Sequence, residues 1–329
     1  MTNSLIIKKK INFFKKTIRV SGDKSISIRW VLFASLASGV SKAQNLLKSE
    51  DVMTAINTIR KLGIKAIVSK NVCKIYGKGI NGYKYKKNII IDAKNSGTLA
   101  RLILGFLINS NKKIKLIGDK SLSKRDFTRV SEPLSKFGVK FKLNNNKNLP
   151  LTVRGTSDLS SIKYFENKGS AQCKSSVILG GIKAEGKTFI KAKKSRNHTE
   201  LLFKYLKLPI KIKKNKNFDI IEIRKVKEIK PTNYKIPSDI SSGAFFIALT
   251  VLSKKSKLII KNINVNPTRI GIISILKKMG VKILLINKKI YKGEAIADVF
   301  VESPKNLKSI NCPSSLNSEA IDEFLIIFL

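Results

Sequence analysis

The organising stretch of this chain is Ser21-Gly22-Asp23-Lys24-Ser25-Ile26-Ser27-Ile28-Arg29, and the apolar run 30–37 follows it at once. This pattern predicts a glycine turn and then a helix whose first turns carry hydroxyls, a lysine and an arginine. The first backbone N–H groups of a helix have no partner inside the helix, so such a start attracts anions. Lys24 adds a point charge, and Arg29 adds a planar fork suited to a carboxylate or phosphate. Taken alone, a single start of this kind favours an ordinary capped helix over an anion site.

The same arrangement returns along the chain, which makes the anion-binding interpretation stronger. Apolar helices are predicted to begin near Lys24-Ser25, Asn95-Ser96-Gly97-Thr98, Ser170-Ala171-Gln172, Asp239-Ile240-Ser241-Ser242 and Ile321-Asp322-Glu323. Their spacing of roughly 70 to 80 residues exceeds a solenoid unit and indicates a small βα piece in each copy. After each of the first four helices we expect a strand, an amphipathic helix and another strand. We expect the first helix of each copy to be buried and the second to lie outside.

Composition limits the class of protein. A chain of 329 residues favours two domains. The formal net charge of +45 suggests nucleic-acid binding. Lysines are, however, scattered through every segment, which is typical of a solvated surface and also suits anionic small substrates. The cysteines Cys73, Cys173 and Cys312 show no metal-ligand spacing, and such a sparse set favours a reducing compartment. We find no signal peptide or membrane span in the sequence, and expect a cytoplasmic protein.

Candidate acids and bases are few. His198 is the only histidine, and its position at the start of an amphipathic helix favours a capping or surface role. Proton transfer therefore falls mainly to carboxylates and lysines. Asp322-Glu323, at the fifth predicted helix start, is the best carboxylate pair, although N-terminal charge complementing the helix dipole explains it equally well. The sequence contains no Walker A motif, no Rossmann glycine fingerprint and no zinc-ligand spacing.

Nine blocks of sequence together resemble one enzyme family. They are GDKSISIR (22–29), NSGTLARL (95–102), GDKSLSKR (118–125), LPLTVRG (149–155), SAQCKSS (170–176), SRNHTE (195–200), PSDISSGAFF (237–246), NPTRIG (266–271) and IDEF (321–324). In this order they resemble the family of 5-enolpyruvylshikimate-3-phosphate synthase, or 3-phosphoshikimate 1-carboxyvinyltransferase. The stretch GEAIADVFVES (293–303) is similar to the variety often called class II.

The resemblance implies the fold. We expect an α/β protein, a two-domain inside-out α/β barrel of the enolpyruvyl transferase type, built from βαβαββ repeats. Residues 1–18 with 237–329 would form the first domain, and residues 19–236 the second domain with three repeats. The active site would lie between the domains, where helix N-termini converge. Family members continue well beyond residue 329, carrying further catalytic and substrate-binding residues, so we expect a C-terminally truncated chain whose first domain is incomplete.

The implied reaction transfers the enolpyruvyl group of phosphoenolpyruvate to the 5-hydroxyl of shikimate 3-phosphate, through a tetrahedral intermediate that loses phosphate. No metal or organic cofactor is implied, and we expect a monomer without a nucleic-acid or membrane partner. The residues implied to bind shikimate 3-phosphate are Lys24, Ser25, Arg29, Ser170, Ala171, Gln172, Arg196 and Asp322. Of these, Ser25 and Arg29 would hold the ring carboxylate. Ser170, the backbone of Ala171 and Arg196 would hold the 3-phosphate.

The resemblance also implies binding residues for the second substrate, phosphoenolpyruvate. The residues implied to bind phosphoenolpyruvate are Lys24, Asn95, Gly97, Arg125 and Gln172. Lys24, Arg125 and Gln172 would contact it directly, and a Cβ at Gly97 should crowd it. Lys24 and Asp322 are the implied catalytic residues, with Asp322 acting on the reacting hydroxyl as base or orienting acceptor.

Several departures and rivals stand beside this interpretation. The chain has Ile28, Asp126, Asn197 and Leu325 where the family usually has other residues. One alternative is an inactive truncated remnant of the enzyme. A UDP-N-acetylglucosamine enolpyruvyl transferase is disfavoured because none of the cysteines matches its loop cysteine. A basic nucleic-acid-binding protein would explain the charge alone.

Overall fold

The computed structural model describes residue 11 and residues 13–329. The domain prediction that includes residues 1–10 and 12 lies, for those positions, outside the described residues. The strands are β1 Lys15–Ile18, β2 Ser38–Gln44, β3 Lys65–Val68, β4 Val72–Lys78, β5 Ile89–Asp92, β6 Ile114–Ile117, β7 Lys140–Asn144, β8 Asn148–Arg154, β9 Lys163–Glu166, β10 Lys187–Lys193, β11 Ile210–Lys214, β12 Phe218–Arg224, β13 Asn233–Lys235, β14 Lys257–Asn264, β15 Lys282–Tyr291 and β16 Glu294–Glu302. The helices are α1 Lys24–Ser35, α2 Glu50–Lys61, α3 Gly97–Leu107, α4 Lys120–Ser123, α5 Thr128–Ser135, α6 Ala171–Gly181, α7 His198–Tyr205, α8 Ile240–Leu252, α9 Gly271–Lys278, α10 Asn317–Ala320 and α11 Phe324–Ile327.

The chain divides into two compact units. Unit 1 takes in the described residues up to Ser21, then 237–291 and 295–329, and unit 2 consists of 22–236 and 292–294. The chain passes from unit 1 to unit 2 after Ser21, three residues later than the expected boundary at 18. It returns after residue 236, and the short segment 292–294 belongs to unit 2.

Unit 2 contains three four-stranded sheets of one design. Their strand orders are β5-β6-β8-β7, β9-β10-β12-β11 and β13-β2-β4-β3. In each sheet the first two strands are parallel and the other pairs are antiparallel. A parallel pair needs a crossover connection, which a helix provides, whereas antiparallel strands can follow each other through a turn. The βαβαββ path that the resemblance implied is therefore present in the first two sheets, whereas β13 of the third sheet follows its other strands in sequence.

Unit 1 contains a fourth sheet of the same design, with strand order β1-β14-β16-β15. Its edge strand β1 lies early in the sequence and pairs in parallel with β14, from Lys15 opposite Lys257 to Ile18 opposite Ile260. The sheet of α1, in contrast, receives its edge strand β13 from residues 233–235. The strand just before α1 thus serves the repeat of α8. The two chain crossings exchange edge strands between the first and fourth repeats.

The first helix of each repeat in unit 2 is buried, as the sequence predicts. Residues 26–35 of α1 are all buried, and α3 and α6 are buried along most of their length. Phe33 of α1 meets Phe106 of α3 edge to face, with ring centroids 5.6 Å apart. A Cβ added to Gly105 of α3 would lie 2.3 Å from the carbonyl oxygen of Ser176. Helices α3 and α6 therefore approach so closely that only glycine fits at position 105.

Helix α8 departs from the prediction because one of its faces is open. Its inner side packs on β14 within an apolar core that includes Ile247, Ile260 and Ile263. Its outer side leaves Phe245 66% and Leu252 58% exposed. A sequence that is apolar all round predicted complete burial, but burial also needs a neighbour on each side.

The fifth predicted helix is also different from the expectation. The sequence predicts a buried helix beginning near Ile321-Asp322-Glu323, but the structure has the short helices α10 and α11 there. Leu325 is 85% exposed, and Phe328 and Leu329 are exposed as well. Helix α11 is a single turn, and none of its residues is buried. No other element among the described residues covers the apolar side chains of Leu325, Phe328 and Leu329.

Candidate functional site

The three buried helices of unit 2 all begin with a side-chain cap. Asp23 Oδ1 accepts from Ile26 N at 2.9 Å, Ser96 Oγ accepts from Leu99 N at 3.4 Å, and Ser170 Oγ accepts from Cys173 N at 3.3 Å. These contacts make each start an ordinary capped helix. Each cap uses a single N–H group, and a serine hydroxyl that accepts from the helix still has its own proton to donate. The starts can therefore be capped and bind an anion.

Arg101 and Gln172 connect the starts of α3 and α6. Arg101 Nη1 donates to Gln172 Oε1 at 2.9 Å and to the Gly97 carbonyl at 3.3 Å. Gln172 Nε2 in turn donates to Thr98 Oγ1 at 3.0 Å. Burial lowers the pKa of Arg101, with the neighbouring cations Arg125 and Arg129 acting in the same direction. Thus the amide of Gln172, an expected substrate ligand, is held in place on both of its ends.

Asn95, Gly97 and Arg125 come together at the same place. A Cβ built on Gly97 would lie 2.8 Å from Nη1 of Arg101 and 2.9 Å from Nη1 of Arg125. Arg125 Nη2 reaches Asn95 Oδ1 at 3.5 Å, and Asn95 Nδ2 donates to Asp119 Oδ2 at 2.5 Å. A side chain at position 97 would therefore displace two guanidinium groups.

Arg29 connects α1 with α6 and α7. Its Nε donates to Thr199 Oγ1 at 2.8 Å, its Nη2 to Ser175 Oγ at 3.4 Å and its Nη1 to the Ser25 carbonyl at 3.0 Å. Ser175 and Thr199 are themselves hydrogen bonded at 2.8 Å. Burial lowers the pKa of Arg29 to about 10, while carboxylates, Glu200 foremost, oppose this. At neutral pH this arginine remains a cation, fixed by neutral acceptors.

Three more expected residues lie near these helix starts. Arg196, just before α7, is near enough to Arg29 to lower its pKa. Lys24 is half exposed at the start of α1, with its Nζ 3.6 Å from Asp51 Oδ2. Ala171 opens α6 directly after its cap, where its backbone N–H belongs to the first turn. All of them are cationic or backbone donors, as an anion site requires.

His198 does not have the capping or surface role that the sequence favoured. It is buried, and its Nδ1 lies 2.7 Å from Glu294 Oε1. A second buried ion pair involves Glu200, two residues after His198: Lys174 Nζ lies 2.6 Å from Glu200 Oε1. The prediction failed because Glu294 is distant in sequence and only the fold brings it to α7. A buried charge is retained only with a partner, so both pairs fix the start of α7.

Asp322 belongs to a separate cluster, in unit 1. Arg269 Nη2 donates to Ser241 Oγ at 2.6 Å, and lies 3.5 Å from Asp239 Oδ1 and 3.8 Å from Asp322 Oδ2. Ser241 also donates to Glu323. Asp239 caps α8, so a helix start and an arginine recur in the fourth repeat. Asp322 is 46% exposed, whereas Glu323 is buried.

Within unit 2, the expected residues Asn95, Gly97, Arg125 and Gln172 meet at the start of α3, and Arg29 contacts Ser175 and Thr199 instead. The structure places Asp322 in unit 1 with Arg269. Arg101 stands one turn after Gly97 in the same way as Arg29 follows Ser25, and this spacing marks it in the sequence as part of the repeated arrangement. No expectation was attached to Ser175 and Thr199, which the fold brings to Arg29 from another repeat.

Known proteins similar to this chain support one family. The family model for EPSP synthase (3-phosphoshikimate 1-carboxyvinyltransferase) matches residues 8–328. The 3-phosphoshikimate 1-carboxyvinyltransferase of Ruthia magnifica is 39% identical over 327 residues, covering 99% of this chain and 74% of that protein. The protein of the same name from Thermoanaerobacter sp. is 38% identical over 320 residues, covering 97% and 74%. The solved EPSP synthase of Acinetobacter baumannii has a TM-score of 0.86 at 33% identity, covering 96% of this chain and 71% of that one.

The chain and its fold therefore define an enolpyruvyl transferase with inside-out α/β architecture. It belongs to the EPSP synthase family. The nucleic-acid-binding alternative explained the charge alone and none of the family blocks.

Among the described residues, no group of three or more His, Cys, Asp and Glu side chains is arranged to hold a metal ion. Over residue 11 and residues 13–329, no helix is both long and apolar enough to cross a membrane.

Proposed function

We propose that this chain transfers the enolpyruvyl group of phosphoenolpyruvate to the 5-hydroxyl of shikimate 3-phosphate, giving 5-enolpyruvylshikimate 3-phosphate and phosphate. One observation carries the proposal. The starts of α1, α3 and α6 are joined by the buried Arg29 and the partly buried Arg101, and the surrounding residues are those that the family pattern requires. Both substrates are phosphorylated carboxylates, which helix starts and arginines bind well.

Arg29 and Ser25 hold the ring carboxylate of shikimate 3-phosphate in this proposal. Arg29 is already oriented by Ser175 and Thr199, so little side-chain entropy is lost when the ligand binds. Arg196, with Ser170 and the backbone N–H of Ala171, holds the 3-phosphate. A helix N-terminus combined with a guanidinium suits a dianion. Lys24 and Gln172 complete this set.

Phosphoenolpyruvate occupies the surroundings of Gly97. Lys24, Arg125 and Gln172 contact its anionic groups, and Asn95 shapes the pocket. Gly97 keeps the space open, because a Cβ there would meet the guanidinium groups of Arg101 and Arg125. The reaction adds the 5-hydroxyl oxygen to C2 of phosphoenolpyruvate while its methylene carbon gains a proton. Loss of phosphate and of that proton from the tetrahedral intermediate then restores the double bond.

Asp322 acts on the reacting hydroxyl, as base or as orienting acceptor. Its carboxylate is partly exposed and lies 3.8 Å from the guanidinium of Arg269. The enzyme works in this proposal without a metal or organic cofactor, as a monomer in the cytoplasm.

The test is calorimetric titration of shikimate 3-phosphate into the chain. We expect binding that is lost in the double variant Lys24→Ala, Arg196→Ala and retained in Lys211→Ala, an exposed lysine on β11. A parallel assay measures phosphate release on addition of phosphoenolpyruvate. A folded sample that binds no shikimate 3-phosphate would contradict the assigned binding residues, and binding without phosphate release would contradict the assigned catalysis.

A further inference from the structure

A cavity lies in unit 2 near the C-terminal ends of α3 and α6, whereas the proposed substrate site lies at their N-terminal ends. The cavity has a volume of about 160 Å³, and its lining includes Leu107 at the end of α3 and Lys183 just beyond α6. Eleven helical residues span about 16 Å at 1.5 Å per residue, so the cavity is a helix length away from the starts of α3 and α6. It therefore shares no residue with the proposed substrate site.

Lys183 is the buried cation of this cavity. The residue is 8% exposed, and its Nζ donates to the Ile80 carbonyl at 2.9 Å and to Asn109 Oδ1 at 2.7 Å. Both acceptors are neutral. Among the described residues that line the cavity, none is an aspartate or a glutamate. Burial lowers the pKa of Lys183 to about 7, and no charged neighbour opposes it.

The remaining ionisable groups of the lining add no negative charge near neutral pH. Tyr83 donates to or accepts from Ser35 at 2.8 Å, and burial raises its pKa. Burial likewise raises the pKa of Tyr85. Lys112 donates to the Tyr85 carbonyl at 2.7 Å and adds a second cation. The charged groups around the cavity are thus two ammonium groups.

Part of the cavity lining is apolar. It is formed by Phe106 and Leu107 of α3 with Ile80, and all three are buried. A cavity of about 150 Å³ lined by apolar side chains accommodates one benzene molecule. The present cavity is therefore large enough for a six-membered ring that carries one small polar group.

We propose that this cavity is a second binding site, which takes a small organic acid whose carboxylate pairs with Lys183 and whose apolar body packs on Phe106 and Leu107. An isolated buried cation is costly, and an anionic partner removes that cost by forming a charge-assisted hydrogen bond. Of the neutral acceptors present, none can do the same. The proposal does not depend on the function assigned to the helix starts.

Benzoate is the probe for this site, since it stays ionised from pH 6 to 8. Titrated into the full chain, it should bind about tenfold more tightly at pH 6 than at pH 8, because protonation of a group with a pKa near 7 falls by that factor. Lys183→Met should abolish this binding. Lys187→Met, which removes an exposed lysine from β10, should leave it unchanged. Arg196→Ala should leave it unchanged too, which separates this site from the substrate site.

A second measurement covers the case in which Lys183→Met fails to fold. NMR of the lysine side chains in the unsubstituted protein follows the Lys183 pKa directly, and saturating benzoate should raise it. The proposal is overturned by an unchanged Lys183 pKa, by equal binding to Lys183→Met and Lys187→Met, or by binding that disappears in Arg196→Ala.

Discussion

Unit 2 and unit 1 use the same βαβαββ repeat with different consequences for its first helix. In unit 2, α1 packs beside α3, and its residues 26–35 are all buried. In unit 1, α8 is more apolar than α1 along its length but leaves Phe245 and Leu252 largely in solvent. The comparison teaches that burial of this helix depends on the helices beside it. Apolar sequence provides the capacity for burial, and neighbouring elements provide the contact.

The largest expected difference in stability comes from removing one aromatic ring from α1 in unit 2 and, separately, one from α8 in unit 1. Phe33 is 1% exposed and meets Phe106 and Phe203 edge to face. Phe33→Ala should destabilise unit 2 by about 3–5 kcal/mol, since it leaves a cavity. Phe245→Ala in α8 should change stability by less than about 0.5 kcal/mol, because the ring is mostly exposed. Urea unfolding followed by circular dichroism measures both; equal losses would show that α8 is as buried as α1.

A smaller effect is expected from a matched pair of glycines. Gly105→Ala in α3 would place a Cβ 2.3 Å from the Ser176 carbonyl oxygen, so the helices must separate, at a cost of about 1–3 kcal/mol. Gly243→Ala in α8 meets Ile260 and Ile263 only at 3.4 Å. At this position the higher helix propensity of alanine should raise the free energy of unfolding by up to about 1 kcal/mol. Thermal unfolding of both variants checks the sign, and destabilisation by Gly243→Ala would mean that α8 is packed tightly too.

The stability of unit 2 to unfolding should depend more strongly on pH in the unsubstituted protein than in the Lys183→Met variant. The pKa of Lys183 is about 7 in the folded chain, below the usual lysine value of about 10.4 in the unfolded chain. Between these values the unfolded state binds more protons, so stability rises with pH, by at most about 1.4 kcal/mol per pH unit. The measurement is urea unfolding from pH 6 to pH 9. If both proteins have the same pH profile, Lys183 is charged in the folded state at neutral pH.

The smallest expected effect is loss of a helix cap. Ser96→Ala removes the acceptor for Leu99 N at the start of α3, and should cost about 1 kcal/mol. Asp239→Ala removes the corresponding acceptor for Ser241 N at the start of α8. That change should cost more, because Arg269 also loses a carboxylate at 3.5 Å. Chemical unfolding of the two variants compares them, and a larger loss in Ser96→Ala would contradict the role given to Arg269.

Much of the fold and part of the site were predictable from local patterns. The starts of α1, α3, α6 and α8 were located to within a residue or two, because small capping residues precede apolar runs. Arg29 and Arg101 were noticeable because each stands one turn into its helix. The environment of His198 was not predictable, since its partner Glu294 lies on a strand far along the chain. The same limit applies to Arg29, whose acceptors Ser175 and Thr199 both come from one other repeat, on α6 and α7.

The sequence by itself determined the repeat, the capped helix starts and the positions of the arginines, because these depend on residues within one or two helical turns of each other. Only the tertiary structure decided which edge strand each repeat receives, with β1 joining β14 and β13 joining β2. It also decided that α1 is buried while α8 keeps an open face, and that Lys183 lines a cavity without a carboxylate partner among the described residues. Strand pairing, burial and charge compensation all depend on groups that are distant in sequence, so no local pattern can specify them.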